Sequence, residues 1–235
     1  MRLPSTPPEL RVKSSIPHVE PDFKAARRTF ETLDTLTHRR RQLTYQPGNG
    51  SERITAVEKW GADLYGDPCA GCGFNWSLTP EEAIRIVTGL PARYRELLDG
   101  YTGHERHPEL AWNPAAYISH VVDNLRHWAE GLAGARLSEA TDILGYDPDL
   151  LAQARHYNDI APAAALWSLE RAVSAWSASV TAALRHGVVL RHDARGPQRA
   201  QDVARNNAHD GYHHAWDIER ILDFAGPAIF SPGAS

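Results

Sequence analysis

Asn113-Pro-Ala-Ala-Tyr117-Ile-Ser-His120-Val121-Val-Asp-Asn-Leu125-Arg-His-Trp128-Ala-Glu-Gly-Leu132 is the stretch that decides the fold class. Tyr117, Val121, Leu125, Trp128 and Leu132 recur at spacings of three and four, the period of one apolar face of an α-helix. Asn113 suits the N-cap and Pro114 the first helical position. Outward from this helix the same signals recur. Upstream, Thr79-Pro-Glu-Glu82 forms a capping-box signature ahead of a face made by Ile84, Val87, Leu90, Tyr94, Leu97 and Leu98. Downstream, Pro148 to Tyr157 predicts a short helix. Pro162 opens a long one with the stripe Leu166, Leu169, Val173, Trp176, Val180 and Leu184, ended by Gly187. Val188 to His192, followed by Ala194 to Pro197, reads as an extended excursion before a last helix over 201–224. The expectation is an all-α fold, a four-helix bundle with a long crossover, and bundles build metal sites in their cores from facing helices.

Residues 1–57 differ from the rest. They open proline-rich, turn charged from Asp22 to Arg41, and end in the turn-forming run Gln46-Pro-Gly-Asn-Gly-Ser51. This predicts an N-terminal extension, partly helical or flexible, in which Phe23, Phe30, Leu33 and Leu36 are the residues that would dock on the core or on a partner subunit. The bundle is expected over 58–228 and a flexible tail over 229–235. Net charge is −4, from 25 basic and 29 acidic side chains, so no global positive field recommends nucleic acid or an anionic membrane as a partner. No apolar run reaches the roughly 20 residues of a bilayer span, and the N-terminus lacks the apolar core of a secretory signal. The expected address is the cytoplasm, and the expected partner a small-molecule substrate.

Twelve histidines are more than core packing explains, and spacing must select among them. In Asn206-Asn-Ala-His209-Asp-Gly-Tyr-His213-His214, His209 and His213 are four apart, which places both imidazoles on one helical face. His214 points about 100° away from them, one residue's rotation on a helix. A third ligand is expected from a facing helix, and His120, mid-helix beside Tyr117 and Val121, is better placed than His127. Three imidazoles suit zinc first, with nickel, iron or copper as alternatives, and three protein ligands leave an open position for chemistry. Asp123, Asp210 and Asn206 are candidate acceptors for the imidazole N–H groups. Tyr212 and His156 are candidate proton donors or substrate contacts, with aromatic packing as the alternative for the tyrosine.

Cys69 and Cys72 form half a zinc knuckle, Cys-Ala-Gly-Cys-Gly. Four readings stay open. His104 and His107 complete a structural site, although their spacing is shorter than usual; the pair is redox-active; a thiolate reaches the histidine-bound metal; or both are reduced cysteines in a turn. No Ser-His-Asp pattern, phosphate loop or dinucleotide fingerprint is present.

Trp112-Asn-Pro-Ala-Ala-Tyr-Ile-Ser-His120-Val-Val-Asp-Asn-Leu125, with Asn207-Ala-His209-Asp-Gly-Tyr-His213-His214, resembles the DinB/YfiT-like superfamily of metal-dependent four-helix bundles across roughly Trp60 to Leu222. Cys69-Ala-Gly-Cys72-Gly-Phe74, Tyr146-Asp147 and Leu166-Trp167-Ser168-Leu169 are similar to an actinobacterial branch of it. The resemblance implies a metal triad at His120, His209 and His213. It also implies an activity of the thiol S-transferase or isomerase type, with a low-molecular-weight thiol such as mycothiol as cosubstrate and a small electrophilic substrate; a homodimer is the expected assembly. Activation of water, a lyase or cyclase of a natural-product pathway, and a non-catalytic metal-binding stress-response or regulatory protein are the other functions it admits. The N-terminal extension departs from the family's compact form.

Overall fold

Two of the four long helices start where a local side chain satisfies a first amide. In the computed structural model, which describes residues 58–226, the helices are α1 (Ala62–Tyr65), α2 (Pro80–Leu97), α3 (Pro114–Ser138), α4 (Pro148–Ala154), α5 (Pro162–Arg185) and α6 (Ala200–Ala225). The expected extension over 1–57 and tail over 229–235 lie outside the described residues. The Thr79 hydroxyl accepts from the Glu82 amide at 3.2 Å while Glu82 accepts from the Thr79 amide at 2.8 Å, the reciprocal pair anticipated for α2. Asn113 accepts from the Ala116 amide at 2.8 Å to start α3. Asp147 caps α4, and the Arg199 amide is answered by Asp202 at α6. α5 and α6 begin without a side chain that accepts from their first amides: α5 has Pro162 at its first position, and the Ala200 amide of α6 donates to the Val188 carbonyl at 3.0 Å.

The four long helices make a four-helix bundle. α2 packs on α6 and α5, and α3 packs on α5 and α6, so that the order around the bundle is α2, α6, α3, α5. The consecutive helices α2 and α3 are therefore diagonal to each other. Between α3 and α5 run β1 (Asp142–Ile143), α4 and a single 3-10 turn (Tyr157–Asp159); between α5 and α6 lies the hairpin of β2 (Val189–His192) and β3 (Gly196–Arg199). β1 joins β2 in parallel, with Ile143 opposite His192, to give a three-stranded sheet in the order β1-β2-β3. The extended excursion expected from sequence is this hairpin.

The core stripes of α2, α3 and α5 are the ones their periodicity marks. Leu125, Leu132, Leu169, Trp176, Val180 and Ile218 are fully enclosed, each burial contributing roughly 1.5–3 kcal/mol for the larger aliphatic and aromatic side chains. Two contacts set how closely α6 approaches its neighbours. Gly211 leaves room for Leu90 of α2, whose Cδ1 would lie 2.2 Å from any Cβ there, and the Tyr94 hydroxyl donates to the Gly211 carbonyl at 2.7 Å. Across the bundle, Trp176 Nε1 of α5 donates to Asn207 Oδ1 at 2.8 Å, both side chains buried. Among the described residues no helix is long and apolar enough to cross a membrane.

Candidate metal centres

One stretch of α6, residues 207–217, carries ligand-type side chains on two adjacent faces. His209 and His213 share one face; Asp210, His214 and Asp217 share the next, about 100° round the helix. The structure meets each face with a different partner. Cys69, Cys72, His209 and His213 bring one ligand atom each to within 4.8 Å of all the others, and His120, Asp210 and His214 do the same in a second group. The triad expected at His120, His209 and His213 is thus divided: His120 faces Asp210 and His214, whereas His209 and His213 face the cysteines.

The second group stands on the wall of a cavity of about 780 Å³ bordered by Trp112, Asn124, Tyr146 and Arg195. Asp210 Oδ1 is the hub. It lies 3.4 Å from His120 Nε2 and 3.5 Å from His214 Nε2, and its other oxygen accepts from Asn124 Nδ2 at 2.8 Å. Behind it, Asp217 Oδ2 takes the other ring nitrogen of His214, Nδ1, at 2.9 Å. Burial disfavours charge on both groups, yet their mutual attraction overrides it. His214 is lifted to about 9 by Asp210 and Asp217 despite its burial. Asp210 is held well below the usual carboxylate range by His120 and His214, against the effect of burial. A buried cluster that holds positive charge between two carboxylates is an environment a divalent cation satisfies. His120 Nδ1 is buried with no hydrogen-bond partner among the described residues.

The first group is assembled by the loop between α1 and α2. The Gly73 amide donates to the Cys69 carbonyl at 2.9 Å and the Cys69 amide to the Phe74 carbonyl at 2.8 Å, closing a tight turn that Gly73 permits at φ 75°. This turn aims both thiols at α6. Cys69 Sγ lies 3.7 Å from His213 Nδ1, and the Gly71 backbone approaches so closely that a Cβ would stand 3.0 Å from His213 Cε1. Aromatic rings enclose His209: Trp76 and Tyr65 at centroid distances of 4.5 and 4.6 Å, and Phe74 edge-on at 5.3 Å. Burial, reinforced by His213, lowers His209 to about 4, and burial also lowers His213. Burial thus favours the neutral form of both imidazoles, the form that binds metal. Burial pushes the Cys72 thiol up to about 11. His209 Nε2 is buried and has no hydrogen-bond partner among the described residues.

The remaining candidates lie outside both groups. His104 Nδ1 sits 3.3 Å from Asn113 Nδ2, and His107 Nδ1 accepts from the Glu109 amide, so neither meets the cysteines. Tyr212 is exposed beside Phe74, and His156 is exposed with Asp159 4.0 Å away. Asp123 is engaged by Arg155 and the Tyr157 hydroxyl, and Asn206 by Gln198. His127 edges against Tyr146 on the cavity wall. The residues that sequence reasoning did not assign as ligands are Asp210 and His214. Their own spacing of four was the available signal, one residue on from His209 and His213.

Comparison with known proteins gives a fold and no family assignment. Protein-family models and curated proteins yield no match. Among solved structures, the chain is similar to one described as "YfiT from Bacillus subtilis is a probable metal-dependent hydrolase with an unusual four-helix bundle topology", at a TM-score of 0.56 and 14% identity over 63% of this chain and 87% of that one. At that identity the likeness establishes the architecture: this chain carries the YfiT-type four-helix bundle.

Proposed function

We propose that the chain is a metal-dependent enzyme whose divalent ion is held by His120, Asp210 and His214 on the cavity wall, and that it activates a low-molecular-weight thiol or water toward a small electrophilic substrate. The observation that carries this reading is the convergence of two imidazole nitrogens on one Asp210 oxygen beside a cavity of about 780 Å³. Two imidazoles and a carboxylate are a fitting donor set for zinc, nickel or ferrous iron, and three protein ligands leave positions for substrate. The YfiT structure, described as a probable metal-dependent hydrolase, supports the metal dependence.

A divalent ion bound there would acidify a coordinated thiol or water to the range where it is a nucleophile at neutral pH. The chain's own residues do the rest. Asp217 accepts the Nδ1 proton of His214, which fixes the ring with Nε2 toward Asp210, where a bound ion would take the place of the second proton. Asn124 holds the outer oxygen of Asp210 and orients the inner one toward the two imidazoles. Trp112 packs on His120 at a centroid distance of 5.1 Å and covers that side of the ring. Arg195 supplies a positive charge on the cavity wall, suited to an anionic substrate or thiol.

The test is turnover of small electrophiles by metal-reconstituted protein, with and without mycothiol, bacillithiol or cysteine, in wild type and in Asp210→Asn. Turnover that requires added ion and falls to background in Asp210→Asn supports the proposal. An Asp210→Asn protein that keeps both its metal and its turnover overturns it. The non-catalytic reading draws on the other group, whose four protein ligands leave no open position.

A further inference from the structure

We propose that Cys69, Cys72, His209 and His213 form a separate, closed zinc site that fastens the loop between α1 and α2 to α6. In a tetrahedral site with Zn–S near 2.3 Å and Zn–N near 2.0 Å, ligand atoms stand about 3.3–3.8 Å apart. Cys69 Sγ and His213 Nδ1 are 3.7 Å apart, and all four ligand atoms fall within 4.8 Å of one another. The donor set is sulfur and imidazole nitrogen, which selects zinc over magnesium, calcium or manganese.

Three further observations point to a ligand at this place. His209 Nε2 is buried and unpartnered among the described residues, in a pocket of aromatic rings that offers it no acceptor. The position after the first cysteine and its neighbour is Gly71, where any side chain would push against His213 and spoil the approach. His213 turns its other nitrogen toward Asp217, at 4.0 Å, beyond hydrogen-bond reach but close enough for the carboxylate to favour a cation bound at that ring. On binding, the two thiols release their protons to solvent, and two thiolates with two neutral imidazoles balance the charge of one Zn²⁺.

The site would act through position rather than chemistry. Gly61, Leu64 and Tyr65, which precede the cysteine turn, border the large cavity. Fastening the turn to His209 and His213 fixes that wall, while the adjacent face of α6 presents Asp210 and His214 to the other group.

Cobalt titration of reduced, chelator-stripped full-length protein tests this. A thiolate-to-cobalt charge-transfer band that saturates at one equivalent, persists in Asp210→Asn and is absent in Cys69→Ser is the expected result. X-ray absorption on Asp210→Asn loaded with one equivalent of zinc should show two sulfur and two nitrogen neighbours, which covers the case in which Cys69→Ser fails to fold. Wild-type protein that binds cobalt without a thiolate band, or zinc with only nitrogen and oxygen neighbours, overturns the proposal. So does a thiolate band lost in Asp210→Asn, which would merge the two groups into one site. Failure of the catalytic reading would leave the thiolate band in place, so the two fail separately.

Discussion

Asp217 Oδ2 stands 2.9 Å from His214 Nδ1, and the same oxygen is 4.0 Å from Nε2 of His213. One buried carboxylate thus backs the two adjacent faces of α6 on which the two candidate metal centres are built. Because it takes the Nδ1 proton of His214, it decides which nitrogen of that ring is available to an ion. Asp217→Asn should leave the fold intact and weaken metal affinity at the His120, Asp210 and His214 group by about 10- to 100-fold, the usual cost of removing such a supporting acceptor. Competition against a chromophoric chelator measures it, and unchanged affinity would show that His214 is held by packing alone.

Removal of metal should lower the unfolding temperature. A ligand present at a thousand times its dissociation constant adds about 4 kcal/mol, which for a chain of this length corresponds to a shift of very roughly 10 °C. Calorimetry before and after chelation should show most of that shift retained in Asp210→Asn and most of it gone in Cys69→Ser. The reverse ranking would mean that the open group, not the cysteine group, contributes the stability.

Gly211→Ala sets two effects against each other. Alanine favours a helix interior over glycine by about 1 kcal/mol. The new Cβ, however, would lie 2.2 Å from Cδ1 of the buried Leu90, and overpacking of this kind costs about 1–3 kcal/mol. Net destabilisation in urea unfolding is expected, with partial rescue by Leu90→Ala. A more stable Gly211→Ala protein would show that α2 can move away from α6 at little cost.

Trp176→Phe removes the donor that satisfies Asn207 Oδ1 inside the core, and Asn207 Nδ2 already lacks a partner among the described residues. Leaving that buried acceptor unpaired costs about 1–3 kcal/mol. The double variant Trp176→Phe with Asn207→Leu should lose less than the sum of the single changes in a denaturant double-mutant cycle. Additive losses would mean that the two side chains do not depend on each other.

Glu105 gives a pH-dependent test away from both groups. Burial opposes its ionisation, but the Thr102 hydroxyl and the amides of Thr102 and Gly103, at 2.6–2.8 Å, lower it below the ordinary value of 4.5. A carboxylate depressed in the folded state stabilises above its unfolded pKa, and that contribution fades as pH falls through the folded value. Glu105→Gln should therefore lower the unfolding temperature slightly near neutral pH, and the gap from wild type should close below pH 4.5. A gap that is constant with pH would assign the effect to the altered hydrogen bonds rather than to charge.

How far the site can be read from the chain is clearest on α6. That residues 201–224 form a helix, that Thr79 and Asn113 cap α2 and α3, and that Val87, Leu125 and Trp176 face the core all follow from spacings of three and four and from short-range hydrogen bonds. These properties are local, because each residue and its partner lie within one or two turns. The choice of ligands is not. His209 with His213 and Asp210 with His214 have identical spacing, and which pair meets His120 depends on how α6 is rotated about its axis. That rotation is set by contacts remote in sequence: Leu90 seated against Gly211, Trp176 bonded to Asn207, and the Cys69 turn closed on His213. A helical period names candidate faces about 100° apart, but only long-range packing chooses which of them looks onto which partner.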